Sequence, residues 1–289
     1  MSIPALSSQL RSNFKIGVFD SGVGGLTVLR ELQSRLPNEA VVYFGDTARL
    51  PYGNRSKSEI LRFVREIVAW MMRLEVKMVI MACNTSSALV LEEVRSEFPI
   101  PILGIILPGA RAAVKSGRQI GVISTQATAE SDAYRRAVME IDPAARVWQV
   151  GCREFVPLIE SDRIYDPYTL AVAKRYVQPL IDCGIDTLVY GCTHYPHLAP
   201  VFRQFVPPEI ALVDPARHLT AAAAQELKIL RLNRPATKLA ASPTEFYVSG
   251  DPQQFAQVSQ QWLGYRPRVE KVSVTSLEVI HTASYRTGD

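Results

Sequence analysis

Along most of this chain, short runs of β-branched, aliphatic and aromatic residues alternate with longer segments in which apolar residues recur every three or four positions. The short runs fall at 14–19, 41–44, 78–82, 102–106, 120–124, 147–150, 187–190, 210–213 and 246–249 and are expected to be strands. Between two of them, Lys57–Arg73 puts Ile60, Phe63, Val64, Ile67, Val68 and Met71 on one face, as an amphipathic helix requires. Strands that are apolar on both faces and separated by helices need cover on both sides. An α/β fold with mainly parallel sheets under helices follows.

The chain has 289 residues, against about 150 for a common domain, so two units are expected. The stretch from Gly104 to Gly109 and the turn Val213-Asp214-Pro215 each mark a place where the chain can cross between lobes. The expected division is a discontinuous lobe one, 1–103 plus 214–289, and a lobe two, 104–213. One internal echo supports it. Met78-Val79-Ile80-Met81-Ala82-Cys83-Asn84-Thr85 and Thr187-Leu188-Val189-Tyr190-Gly191-Cys192-Thr193-His194 both run from apolar strand to small residue, cysteine and polar helix opening. A spacing of 109 residues is too long for a solenoid repeat and suits a duplicated lobe.

Composition then narrows the class. With 32 Lys+Arg against 28 Asp+Glu and no long run of like charge, there is no electrostatic footprint for nucleic acid. The longest apolar stretch, 99–108, is far short of the roughly 20 residues of a membrane helix, so a soluble, unexported, cytoplasmic protein is expected. Four cysteines, with no Cys-x-x-Cys among them, exclude a disulfide-stapled scaffold.

Cys83 and Cys192 stand where ligands bind in open parallel sheets, beyond the carboxyl ends of strands and at helix openings. A helix N-terminus there favours a thiolate. Cys152 and Cys183 lack that context and are expected simply to pack. The first strand ends in Asp20-Ser21-Gly22-Val23-Gly24-Gly25, where Thr27 replaces the third glycine of a dinucleotide fingerprint and no Walker lysine follows. What is left is a tight turn with a carboxylate at its mouth, and Asp20 reads equally as an N-cap or a functional group. Pro51-Tyr52-Gly53-Asn54 reads as a surface turn or as a loop over a crevice whose backbone N–H groups hold a carboxylate. Thr125 and Thr128 offer hydroxyls near a strand end, and their plainest reading is as caps. A metal set of Cys192, His194 and His197, completed by Cys83, is disfavoured by Pro196 and the short spacings. His194 is better placed to tune Cys192, and His197 reads as a helix-surface residue.

Taken together, IGVFDSGVGGLTVLREL, YFGDTARLPYGNRS, ACNTSSAL, the 125–134 segment, LVYGCTHYPHL and FYVSGDPQQF resemble the glutamate racemase family, cofactor-independent enzymes that supply D-glutamate for bacterial peptidoglycan. The resemblance runs over nearly the whole chain after residue 13; only the segment after Asp214 departs from the usual form. It implies two pseudo-symmetric lobes with the active site between them, glutamate as substrate, a homodimer, and no metal or cofactor. Carried over by motif, Cys83 and Cys192 are the acid/base pair and Asp20 and His194 their assistants. Asp20, Ser21, Tyr52, Gly53, Asn84, Thr85, Thr193 and His194 are substrate contacts, and Thr128 and Glu160 join the site. The rival readings are a racemase of aspartate or another amino acid, a metal-dependent hydrolase built on Cys192, His194 and His197, and a catalytically idle interaction module.

Overall fold

The computed structural model describes residues 12–235 and 244–274. Ten strands form two sheets. The first contains β1 (Lys15–Asp20), β2 (Val41–Gly45), β3 (Val76–Met81), β4 (Ile102–Gly104), β9 (Glu245–Val248) and β10 (Val269–Lys271), in the order β10-β9-β2-β1-β3-β4. The second contains β5 (Gln119–Ser124), β6 (Arg146–Gly151), β7 (Thr187–Gly191) and β8 (Ala211–Val213), in the order β6-β5-β7-β8. Every pairing is parallel. The order β2-β1-β3-β4 repeats as β6-β5-β7-β8, so β3 and β7 occupy equivalent places and each leads into one of the two motif cysteines.

Burial explains why parallel pairing wins. All six residues of β3 and all five of β7 are buried, which leaves neither face for solvent. The helix Lys57–Arg73 opens with a capping box, Ser56 accepting from the Glu59 N–H while the Glu59 carboxylate accepts from the Ser56 N–H, and buries the whole apolar stripe read from its spacing. Lys77 is the one charged residue of β3. Its ammonium is buried and donates to the Ser12 carbonyl at 2.7 Å, the Glu39 carboxylate at 2.5 Å and the Leu232 carbonyl at 2.8 Å, tying three distant segments to the sheet.

One expected strand needs correction and one strand is added. The run 102–106 is strand only to Gly104; Ile106 begins the helix Ile106–Ser116, and Pro108 is tolerated because the first-turn N–H groups have no partner inside the helix. The short edge strand β10, with Glu270 and Lys271 exposed, has too little apolar content to be anticipated. Among the described residues, no helix is long and apolar enough to cross a membrane.

Candidate active site

Cys83 follows β3 and is the N-cap residue of the helix Asn84–Glu97. It is buried, and its thiol points at the Ser21 hydroxyl, 3.9 Å away. Burial, and then the charge of Asp20, push its pKa up to about 11 against weaker hydrogen bonds from Ser86 and Ser21. Asp20 ends β1 with its carboxyl buried, Oδ1 accepting from the Gly22 N–H at 2.9 Å. Burial raises its pKa, opposed by His194, the Gly22 and Gly25 N–H groups and Thr193. The N-cap reading of Asp20 is therefore corrected: the helix Leu26–Arg35 starts after Gly25, and Asp20 braces the turn before it.

Cys192 follows β7, buried, with its sulfur 3.7 Å from His194 Nδ1. His194 Nε2 sits 2.9 Å from Glu160 Oε1. Burial works against a charge on the imidazole, but its bonds to Cys192 and Glu160 together outweigh that and push its pKa up to about 10. As an imidazolium it donates from both nitrogens, one to sulfur and one to carboxylate. The two thiols thus have opposite neighbours, a carboxyl group at Cys83 and a cation at Cys192.

A seam of polar contacts joins the halves. Thr193 Oγ1 donates to Asp20 Oδ2 at 3.3 Å, and Thr27 Oγ1 reaches the Thr193 carbonyl at 3.2 Å. Gly24 lies against this contact: a Cβ there would collide with the Thr193 hydroxyl and the His194 ring. On the Cys83 side, Thr85 Oγ1 meets Thr125 Oγ1 at 3.0 Å and Thr128 Oγ1 at 3.3 Å. Beside Thr85, Asn84 Oδ1 accepts from Tyr134 Oη at 2.7 Å, and Asn84 Nδ2 is buried with no partner among the described residues. A buried amide with an unused N–H group is a donor available to a ligand.

The turn bearing Tyr52 and Gly53 is held from below. Tyr52 is buried, and its hydroxyl donates to Asp46 Oδ2; the same carboxylate accepts from Arg49 Nε and from Ser249 Oγ. Asp46 N in turn donates to the Asp20 carbonyl at 3.0 Å, so loop and Asp20 turn share one support. Gly53 faces Thr125 across the seam, where an added Cβ would come only to ordinary contact distance.

The structure pairs Cys83 with Ser21, Asp20 with Thr193, Cys192 with His194 and through it Glu160, and Thr85 with Thr128, and the runs 20–21, 83–85 and 192–194 bring these contacts, with Asn84, to one place; Tyr52 and Gly53 lie on an adjoining loop. Two minor readings change. His197 is not a helix-surface residue: its ring lies 4.0 Å from that of Trp262, its Nε2 is buried, and burial followed by the charge of His194 lowers its pKa to about 4. Cys152 packs in the core, whereas Cys183 is exposed. Among the described residues no three His, Cys, Asp or Glu side chains come together as a metal-holding group. Tyr134, Asp46 and Trp262, whose ring meets His194 edge-on at 5.3 Å, carry no sequence signal of their own: Tyr134 and Trp262 meet partners far along the chain, and Asp46 gathers Arg49 and Tyr52 together with the distant Ser249.

Two like sheets, each delivering one buried cysteine to a common polar seam, make this a two-lobed α/β protein with a candidate acid–base site between its halves. A family model described as Asp/Glu/hydantoin racemase matches residues 16–223, and the chain belongs to that family. It is 63% identical over 272 residues to the glutamate racemase of Gloeothece citriformis, covering 92% of this chain and 97% of that one. With the glutamate racemase of Synechocystis it shares 65% identity over 266 residues, 92% of this chain and 94% of that relative. The solved structure of glutamate racemase from Francisella tularensis in complex with D-glutamate superposes with a TM-score of 0.86 at 35% identity, covering 92% of this chain and 100% of that one.

Proposed function

We propose that this protein interconverts L- and D-glutamate by a two-thiol mechanism that needs no cofactor, and that it supplies D-glutamate for peptidoglycan. The observation that carries the reading is the pairing of Cys83 and Cys192 after equivalent strands, one beside Asp20 and the other beside the His194–Glu160 pair.

Racemisation takes a proton from one face of Cα and returns one to the other, so a base must wait on one side and an acid on the opposite side. The Cα proton is roughly ten or more pKa units less acidic than a thiol, which leaves on the order of 14 kcal/mol for the site to offset. Hydrogen bonds in a water-poor site supply that stabilisation. The Asn84 amide and the hydroxyls of Ser21, Thr85, Thr128 and Thr193 hold the substrate without adding a competing strong base. Cys83 acts on D-glutamate with Asp20 assisting, and Cys192 acts on L-glutamate with His194 assisting. The first N–H groups of the short 3-10 turn Tyr52–Asn54 have no partner within that turn, which suits them to a carboxylate.

The same reading takes 1–103 with 214–289 as lobe one and 104–213 as lobe two, a homodimer as the assembly and the cytoplasm as the compartment. The test is a chiral assay of purified, exhaustively chelated protein against a panel of L- and D-amino acids that includes aspartate. Racemisation of glutamate alone is expected. Activity that disappears on chelation and returns with zinc, or a preference for aspartate, overturns the reading.

A further inference from the structure

We infer that Tyr134 is a positioning residue that sets which way the Asn84 amide faces, and that it does so across the seam between the two halves. Tyr134 belongs to the helix Ala133–Ile141 of the second half, whereas Asn84 opens the helix after β3 in the first. Both side chains are buried, and the hydroxyl lies 2.7 Å from Asn84 Oδ1.

An Asn amide fits its site equally well in two orientations related by a half turn, one presenting NH2 and the other a carbonyl oxygen. A phenol can donate to the oxygen or accept from the NH2, so proximity alone does not choose. The choice comes from the phenol's own proton. Among the described residues Asn84 Oδ1 is the only hydrogen-bond acceptor found for the Tyr134 hydroxyl, so the flipped amide would leave a buried O–H without an acceptor. Burial, with Asp214 and Cys192 adding to it, raises the Tyr134 pKa, so the proton stays on the phenol at working pH. Donation to Oδ1 then leaves Nδ2 as the free group, buried and unpartnered beside Cys83. The amide offers a donor to an anionic substrate when the second half seats Tyr134 against it, and this couples docking of the halves to substrate affinity.

This inference rests on the assignment of Asn84 as a substrate contact. The experiment is a double-mutant cycle on glutamate racemisation with Tyr134→Phe, Asn84→Ala and the pair. Tyr134→Phe is expected to raise KM about tenfold, the size of a lost hydrogen bond to a charged group, with kcat within about threefold of wild type. In the Asn84→Ala background the same change should leave KM unmoved. Tyr134→Met, which keeps bulk and drops the hydroxyl, must reproduce the Tyr134→Phe shift. An unchanged KM in both Tyr134 variants, or effects that simply add in the pair, overturns the inference. A wild-type protein that fails to racemise glutamate, or an Asn84→Ala variant with normal KM, refutes instead the reading it rests on.

Discussion

Thr193 and Asp20 are 173 residues apart in the chain and 3.3 Å apart in space, and their hydrogen bond joins the turn after β1 to the segment after β7. Each lies next to one of the two candidate acid–base thiols, since Thr193 follows Cys192 directly and Asp20 is the charged neighbour of Cys83. The candidate site is therefore built from residues at or just after the ends of strands of both sheets.

Replacing either site thiol should be far more damaging than replacing either of the others. Cys83→Ala and Cys192→Ala are each expected to lower kcat by about a thousandfold or more, because one face of Cα loses its acid or base. Cys183→Ala, at an exposed position, and Cys152→Ala, in the core, should keep most of the activity, with Cys152→Ala losing some thermal stability. Near-native turnover in either site variant would rule out the two-thiol scheme.

The assistants should reveal themselves through isotope effects. Two enantiomers have an equilibrium constant of one, so any variant must lose kcat/KM by the same factor in both directions. Asp20→Asn impairs proton removal by Cys83, which should raise the primary deuterium effect for Cα-deuterated D-glutamate. His194→Asn should raise it for L-glutamate instead. Identical changes for both enantiomers in both variants would contradict the assignment of one assistant to each thiol.

His194 also links stability to pH. Its pKa is about 10 in the folded protein against 6.5 for an unperturbed histidine, so the folded state keeps a proton that the unfolded state releases. The contribution is full below pH 6.5 and is lost as pH rises through 10. The gap in Tm between wild type and His194→Gln should therefore narrow across that interval, as followed by calorimetry in matched buffers. A gap that widens with pH would mean that the histidine is neutral in the folded protein.

Gly24→Ala tests the closeness of the seam. The added methyl meets the Thr193 hydroxyl and the His194 ring, both buried, so overpacking should cost about 1–3 kcal/mol of stability. Because those atoms belong to the site, kcat should fall by about a hundredfold even where the variant remains folded, at about 1.4 kcal/mol per tenfold. Gly184→Ala is the comparison: its added methyl has open space, and only the positive φ of 76° penalises it. A Gly24→Ala variant as active as Gly184→Ala would show that the halves do not meet this tightly.

Local physics made much of this fold readable. Lys57–Arg73 shows its helix because one apolar stripe faces the core, and the echo around Cys83 and Cys192 marks equivalent strand ends because both strands are buried on both faces. Ile105 and Ile106 do not reveal their helix in the sequence, because a short apolar run fits a strand and a buried helix start equally well. The contacts of His197 had no local signal: its partner, Trp262, stands on the helix Pro252–Leu263, and only the tertiary fold brings the rings together. The same holds for Asp46, which looks like an ordinary loop acid until Tyr52, Arg49 and Ser249 converge on it.

The strand order has a consequence for manufacture. Strands β5 to β8 come from one unbroken stretch, so that sheet has all its strands once Val213 has left the ribosome. The first sheet, although begun earlier, lacks its neighbour to β2 until Glu245–Val248 has been translated, and Trp262 follows later still. The order of synthesis and the order of completion are thus reversed for the two halves. A nascent chain already holding both cysteines carries them in a site whose Asp46 still waits for Ser249 and whose His194 still waits for Trp262.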